Sequence, residues 1–211
     1  MAGSERYYPV GLRLTDRLVV ILGGDREAAL KVERLLSYGP RLHVIHPAVV
    51  PSIAQRARAG DVRWSARSYR GGDLHGATLA IVCDPVSAVA ALDEARREGV
   101  LVNAVDRADR SDVIAMAGLV RGPVEIAMHT SGASAALSRR LREDLEARYG
   151  DGLGTLASLL GELRSTVRER VHDVAERRAF WLGVVDAQLL RRARRGDFDA
   201  ERVRAEILAR L

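Results

Sequence analysis

The sequence predicts an α/β fold, an open parallel sheet flanked by helices, followed by a region that is helical throughout. Three observations carry that reading. First, Leu18-Val19-Val20-Ile21-Leu22 is an unbroken apolar run, rich in β-branched residues, which suits a strand buried on both faces. Second, Gly23-Gly24 breaks the run and Asp25 stands where a helix is capped. Ala28, Ala29, Leu30, Val32, Leu35 and Leu36 then give the next segment an apolar face. Gly39-Pro40 stops that helix and Arg41–Ile45 begins a second strand, so the stretch is a βαβ unit, the opening of a Rossmann-like fold. Third, beyond Gly150 the residues Leu156, Leu159, Leu160, Leu163, Val167, Val171 and Val174 recur near heptad spacing, which predicts one long amphipathic helix.

Tyr7-Tyr8-Pro9-Val10 and Leu12 lead into the first strand. Residues 49–59 read as a short helix closed by Gly60, and 62–66 alternate as a strand. Gly71-Gly72-Asp73 is a turn. Residues 78–83, TLAIVC, form the next buried strand, and 87–98 a helix with Val89, Ala90, Leu92 and Ala95 inward. Residues 100–105 are a further strand that ends at Asp106, and 106–112 read as a charged surface loop. Two apolar pieces, 113–120 and 124–128, flank the turn Arg121-Gly122-Pro123, and a helix follows over 135–149. Phe180-Trp181 and Val184-Val185 begin another helical region, and Asp197-Phe198-Asp199 caps a last helix. This helical tail can pack on the parent domain or make a dimer, and an apolar stripe as long as the one beyond Gly150 is more economically buried against a second copy of the chain.

With 211 residues, 47% of them hydrophobic and 4% aromatic, the chain can bury an aliphatic core as one large domain or as a medium domain with an appendage. The net charge of +5 and pI near 9.9 suit an anionic partner, or simply a solvated arginine and glutamate surface. The one cysteine, Cys83, excludes an intramolecular disulfide, and no apolar segment reaches the length of a membrane span. A soluble, cytoplasmic protein is expected. No recognition helix or aromatic platform marks a nucleic-acid binder, so a basic dimeric regulator on a disused Rossmann domain is the weakest reading.

Among residues that could carry chemistry, Asp106 stands at the carboxyl end of a strand, the edge where open α/β sheets bind ligands. There it serves as a general base or metal ligand, or merely caps a turn. Asn103, three residues earlier, can orient a ligand or satisfy the backbone. His129-Thr130-Ser131-Gly132-Ala133-Ser134 precedes a helix, where small hydroxyl residues bind anions or act as ordinary caps. In the frame Gly23-Gly24-Asp25-Arg26-Glu27-Ala28, the middle glycine of a dinucleotide fingerprint is Asp25, which is equally an N-cap. No acid is visible at the end of the second strand, where one usually holds the ribose hydroxyls.

Taken together, YYPVGLRLTDRLVVILGGDREAALKVERLLSYG, TLAIVCD, VNAVD, HTSGASAALSRRLREDLE and ERRAFW at 176–181 resemble the precorrin-2 dehydrogenase / sirohydrochlorin ferrochelatase family, the siroheme-synthase N-terminal module, over nearly the whole chain. The resemblance implies an NAD-binding Rossmann-like domain (1–112), a small dimerisation domain (113–150) and a helical C-terminal domain (151–211), assembled as a homodimer. It implies oxidation of precorrin-2 to sirohydrochlorin with NAD, and in some members insertion of Fe²⁺ as a second substrate. The family's essential aspartate falls on Asp106, as general base or in metal handling. NAD is expected over Gly23, Gly24 and Asp25 and at Cys83-Asp84; the tetrapyrrole, which carries eight carboxylates, near Asp106, Asn103, Thr130, Ser131, Gly132 and Ser134.

The chain departs from the family pattern at Asp25, at Ser131 and Ala135 in the loop that usually reads Ser-Thr-Gly-Gly-x-Ser-Pro, and at Asp112-Val113. A metal chelatase or tetrapyrrole-binding protein that has lost NAD through Asp25 is the alternative reading.

Overall fold

A computed structural model describes residues 7–105, 107–131, 133–194 and 198–211. The chain forms two compact units, Met1–Ala115 and Met116–Leu211. The first is built on five parallel strands: β1 (Leu18–Leu22), β2 (Arg41–Ile45), β3 (Val62–Ser65), β4 (Leu79–Val82) and β5 (Leu101–Ala104), in the order β3-β2-β1-β4-β5. β1 is central, with Val20 in register with His43 on one side and Ala80 on the other. Val19, Val20, Ile21 and Leu22 are all fully buried. Burial of each such side chain is worth about 1.5–3 kcal/mol, which is why the run carries no polar residue.

Helices α1 (Arg26–Leu36) and α2 (Pro51–Ala59) cover one face of the sheet, closing over Val19, Ile21, Leu42 and Val44. Leu30, expected on the inner face of α1, remains exposed; Ala28, Ala29 and Val32 carry the contact. Helix α3 (Ala88–Glu98) covers the other face over Val20, Leu22, Ala80 and Val82. Its inward face is not the expected one. Val89 and Ala90 are exposed, and Ala91, Leu92, Glu94 and Ala95 are buried.

Glu94 sets that rotation. Its carboxylate accepts the amides of Leu74 (2.8 Å) and Gly72 (3.0 Å) and the hydroxyl of Tyr69. These donors lie on the segment 66–78, which joins β3 to β4 without a helix and lays Leu74 into the core. Arg67 clamps the same segment through both oxygens of Asp73, at 2.6 and 2.8 Å, and the Arg70 amide adds a third bond. Burial works to raise the Asp73 carboxyl, but the Arg67 and Arg70 hydrogen bonds and the Arg67 charge outweigh it and hold the group below the usual carboxylate range.

His43 lies buried beside this clamp, its Nε2 at 2.9 Å from the Ser65 hydroxyl. Burial, then the charges of Arg63 and Arg67, push its pKa below the ordinary histidine value against the opposing pull of Asp73. The unfolded chain therefore takes up a proton as pH falls below about 6.5 while the folded chain resists it, and stability declines with acidification through that window. Thermal melts between about pH 7 and 5 should show a flatter pH dependence for His43→Gln than for wild type. Equal slopes would remove His43 from the account.

The second unit begins with an antiparallel hairpin, β6 (Ala117–Arg121) and β7 (Val124–Met128), with α4 (Ala135–Arg148) packed on β6. Its helices are α5 (Gly152–Arg170), α6 (Val174–Val184), α7 (Ala187–Arg194) and α8 (Ala200–Leu208). Gly154 lets α5 approach the hairpin turn, since a Cβ there would lie 2.8 Å from the Arg121 carbonyl carbon. The single helix expected through Val174 ends at Arg170. Asp173 caps a new helix by accepting the Glu176 amide at 2.8 Å, and Arg177 takes the carbonyls of Val171 and His172. Part of the apolar stripe is buried within the unit. Leu156, Leu159 and Leu163 pack with Leu189, Ala193, Val203 and Ile207 of α7 and α8, while Val174 stays exposed. Asp199 caps α8 through the Arg202 amide (3.0 Å), while Asp197 lies outside the described residues.

Candidate dinucleotide site

In this strand order the chain leaves β1 toward β2 on one side and returns at β4 on the other, which opens a crevice at the carboxyl ends of β1 and β4. The residues that follow both strands meet there. The amides of Cys83 and Asp84 donate to the Leu22 carbonyl, at 2.8 and 3.0 Å, and the Val50 amide donates to the Gly24 carbonyl at 2.8 Å. Neither glycine can be replaced cheaply. A Cβ on Gly23, whose φ is +150°, would stand 2.8 Å from Cys83 Cβ; one on Gly24 would stand 2.0 Å from the Ala48 carbonyl oxygen. The structure thus brings Gly23, Gly24, Asp25, Cys83 and Asp84 together at one sheet edge.

Asp25 is the N-cap of α1. Its Oδ1 accepts the Ala28 amide at 2.9 Å and its carbonyl accepts the Ala29 amide at 3.0 Å. The amides of Arg26 and Glu27, in the first turn, have no acceptor within the helix and face the crevice end of the dipole. A tight glycine turn, two such amides and a helix N-terminus fit the diphosphate of a dinucleotide. The exposed Asp25 carboxylate is the one group that opposes it.

Asp84 is held by its own turn, accepting the Ser87 hydroxyl (2.6 Å) and the amides of Val86 (3.0 Å) and Ser87 (3.2 Å). Burial works to raise this carboxyl; the three hydrogen bonds, with the nearby charge of His46, outweigh burial and leave it below the usual range. Asp84 is therefore a fixed anion that orders the β4–α3 turn.

Asn103 lies on β5, where its side-chain amide donates to the Val113 carbonyl at 3.0 Å. The segment beyond is no free surface loop. After the 3-10 turn Ala108–Arg110, the Ser111 hydroxyl bonds both the amide and the carbonyl of Ala104, and Asp112 accepts the Val102 amide at 3.0 Å. Asp112, one of the departures from the family pattern, thus pins to β5 the chain that follows Asp106. Asp106 itself, the candidate base and metal ligand, lies outside the described residues.

In the second unit, Thr130, Ser134 and Ser138 form a closed knot. Thr130 Oγ1 accepts the Ser134 amide at 3.2 Å, and Ser134 Oγ accepts the Leu137 amide at 3.1 Å as the cap of α4. Ser131 adopts φ +49° with its amide on His129 Nδ1. Gly132 lies outside the described residues. The Thr130 and Ser134 hydroxyls therefore first serve their own loop, and any ligand there meets a preformed turn.

Sequence reasoning missed Glu94, Ser111 and the place of His46. A charged residue between Leu92 and Ala95 was a signal for Glu94, since a carboxylate at that point of an apolar face has to find buried donors.

The fold and this edge define a dinucleotide-binding domain joined to a smaller unit of hairpin and helices. A family model described as "Putative NAD(P)-binding" matches residues 10–117, and one described as "Sirohaem synthase dimerisation region" matches residues 152–211. The chain is 35% identical to "Siroheme synthase 1" of Aeromonas salmonicida over 90% of its length, and 36% identical to "Siroheme synthase" of Methylococcus capsulatus over 95%. It spans 42% and 43% of those two proteins. The solved structure of "SirC, precorrin-2 dehydrogenase" superimposes with a TM-score of 0.75, covering 96% of this chain and 100% of that one at 22% identity, which shows the shared fold. The chain belongs to this NAD(P)-binding family, with a match to the sirohaem synthase dimerisation region after it.

Among the described residues no helix is long and apolar enough to cross a membrane, and no three His, Cys, Asp or Glu side chains gather as a metal site.

Proposed function

We propose that the chain is an NAD-dependent dehydrogenase of siroheme biosynthesis that oxidises precorrin-2 to sirohydrochlorin. The observation that carries the reading is the glycine turn packed against Cys83 and Ala48 at the switch point between β1 and β4. Bound NAD⁺ would supply the acceptor for a hydride leaving the macrocycle. The chain's own residues do the rest. Gly23 and Gly24 let the main chain reach the diphosphate, and the Arg26 and Glu27 amides donate to it. Asp84 keeps the β4–α3 turn fixed beneath it. Asp106 takes the proton that departs with the hydride, while Ser111 and Asp112 hold the chain beyond it against β5. Asn103, Thr130, Ser131, Gly132 and Ser134 recognise the carboxylate-rich substrate, and Fe²⁺ insertion by the same chain belongs to this reading as a second, separable step. Two copies assemble through the segment 113–150 and the helical region that follows, in a soluble, cytoplasmic protein.

Asp25 favours a second reading, a chelatase or tetrapyrrole carrier without the redox step. Incubation with precorrin-2 and NAD⁺ separates the two: the dehydrogenase yields NADH and the sirohydrochlorin spectrum together. Metal uptake or tetrapyrrole binding with no NADH would install the alternative.

A further inference from the structure

The adenosine side of the crevice carries an unusual residue. Folds of this kind place an acid at the carboxyl end of the second strand, where it accepts the ribose 2′-hydroxyl and repels a 2′-phosphate. The segment that follows β2 here is His46-Pro47-Ala48-Val49-Val50, without a carboxylate. His46 is placed firmly. Its amide donates to the Ser65 carbonyl (3.2 Å), and its carbonyl accepts the Trp64 indole N–H (3.0 Å). Its ring Nδ1 hydrogen-bonds the Ala48 carbonyl and lies 2.5 Å from where a Cβ on Gly24 would stand, so the ring rests directly on the glycine turn.

With Nδ1 engaged by Ala48, Nε2 has no hydrogen-bond partner among the described residues. A neutral imidazole so fixed offers Nε2 as an acceptor for a hydroxyl, and a protonated one offers a donor and a charge to a phosphate. Of the two carboxylates at the turn, Asp25 holds the Ala28 amide through one oxygen and Asp84 holds Ser87.

We infer that His46 is the residue that reads the ribose 2′ position, and that it makes the site accept 2′-phosphorylated and unphosphorylated dinucleotides alike. The inference rests on the dinucleotide reading above. The test is equilibrium titration of NAD⁺ and NADP⁺ by calorimetry against wild type, His46→Asp and His46→Gln. Wild type should bind the two within about tenfold of each other, and His46→Asp should shift the ratio toward NAD⁺ by at least about thirtyfold, because a fixed carboxylate repels the 2′-phosphate. His46→Gln, which keeps a neutral acceptor, should move the ratio far less.

A purely structural role would weaken both nucleotides equally in both variants and leave the ratio unchanged, and that result overturns the inference. A strong preference of wild type for NAD⁺ also overturns it while leaving the dinucleotide reading intact. Failure of wild type to bind either nucleotide removes the dinucleotide reading and the inference with it.

Discussion

Replacing Asp25 by Asn or Gly should tighten NAD⁺ binding by about five- to tenfold. Two like charges about 4 Å apart repel by about 1 kcal/mol in bulk water and about 4 kcal/mol at an effective dielectric near 20. The Asp25 carboxylate is exposed at the crevice mouth, which places the interaction toward the lower figure. The two substitutions separate its contributions. Asparagine caps a helix as well as aspartate, so Asp25→Asn removes the charge and keeps the bond to Ala28. Asp25→Gly also clears the space a diphosphate needs and costs the helix only a few tenths of a kcal/mol. If Asn recovers most of the gain, charge is the obstacle; if only Gly does, bulk is. Affinity unchanged in both would mean that the diphosphate does not approach the N-terminus of α1.

Glu94→Ala should destabilise the first unit strongly, by about 2–4 kcal/mol. Glu94 is 4% exposed and its carboxylate accepts two backbone amides and a phenol. Its removal leaves the buried Leu74 amide without an acceptor, at about 1–3 kcal/mol before relaxation, and takes an acceptor from the Gly72 amide and the half-buried Tyr69 hydroxyl at smaller cost. Burial and the adjoining Glu94 carboxylate hold the Tyr69 hydroxyl well above the ordinary tyrosine pKa, as expected of a donor committed to an anion. Glu94→Gln keeps one oxygen and should lose less. Chemical denaturation of the three proteins checks the order wild type, Gln, Ala. Equal stability of wild type and Glu94→Ala would show that the segment 66–78 is held by Arg67 and Leu74 instead.

The parts of the fold that were plain in the sequence are those governed by one local rule. β1 and β4 are unbroken apolar runs because a parallel sheet covered on both faces admits nothing else. Asp25, Ser134 and Asp199 cap helices because a short oxygen-bearing side chain satisfies a first-turn amide. The segment 66–78 was opaque because its partner, Glu94, is twenty residues or more away and reads as one more solvated charge on α3. The break after Arg170 was hidden because the heptad pattern runs through it, while the Asp173 cap and the Arg177 side chain stop the helix. Around the proposed site, that the glycine turn and Cys83-Asp84 share one sheet edge was legible. That Gly24 is required by Ala48, and that Asp112 ties the chain beyond Asp106 to β5, needed the third dimension.

The most direct test of the central claim is calorimetric titration of the wild-type chain with NAD⁺. The account predicts saturable binding of one dinucleotide per chain in the micromolar range, weaker than in Asp25→Gly but present. Silence from wild type beside clear binding by Asp25→Gly would mean that the fold kept its cofactor cradle and the natural residue closed it. The redox step would then have to be given up in favour of a chelatase or carrier.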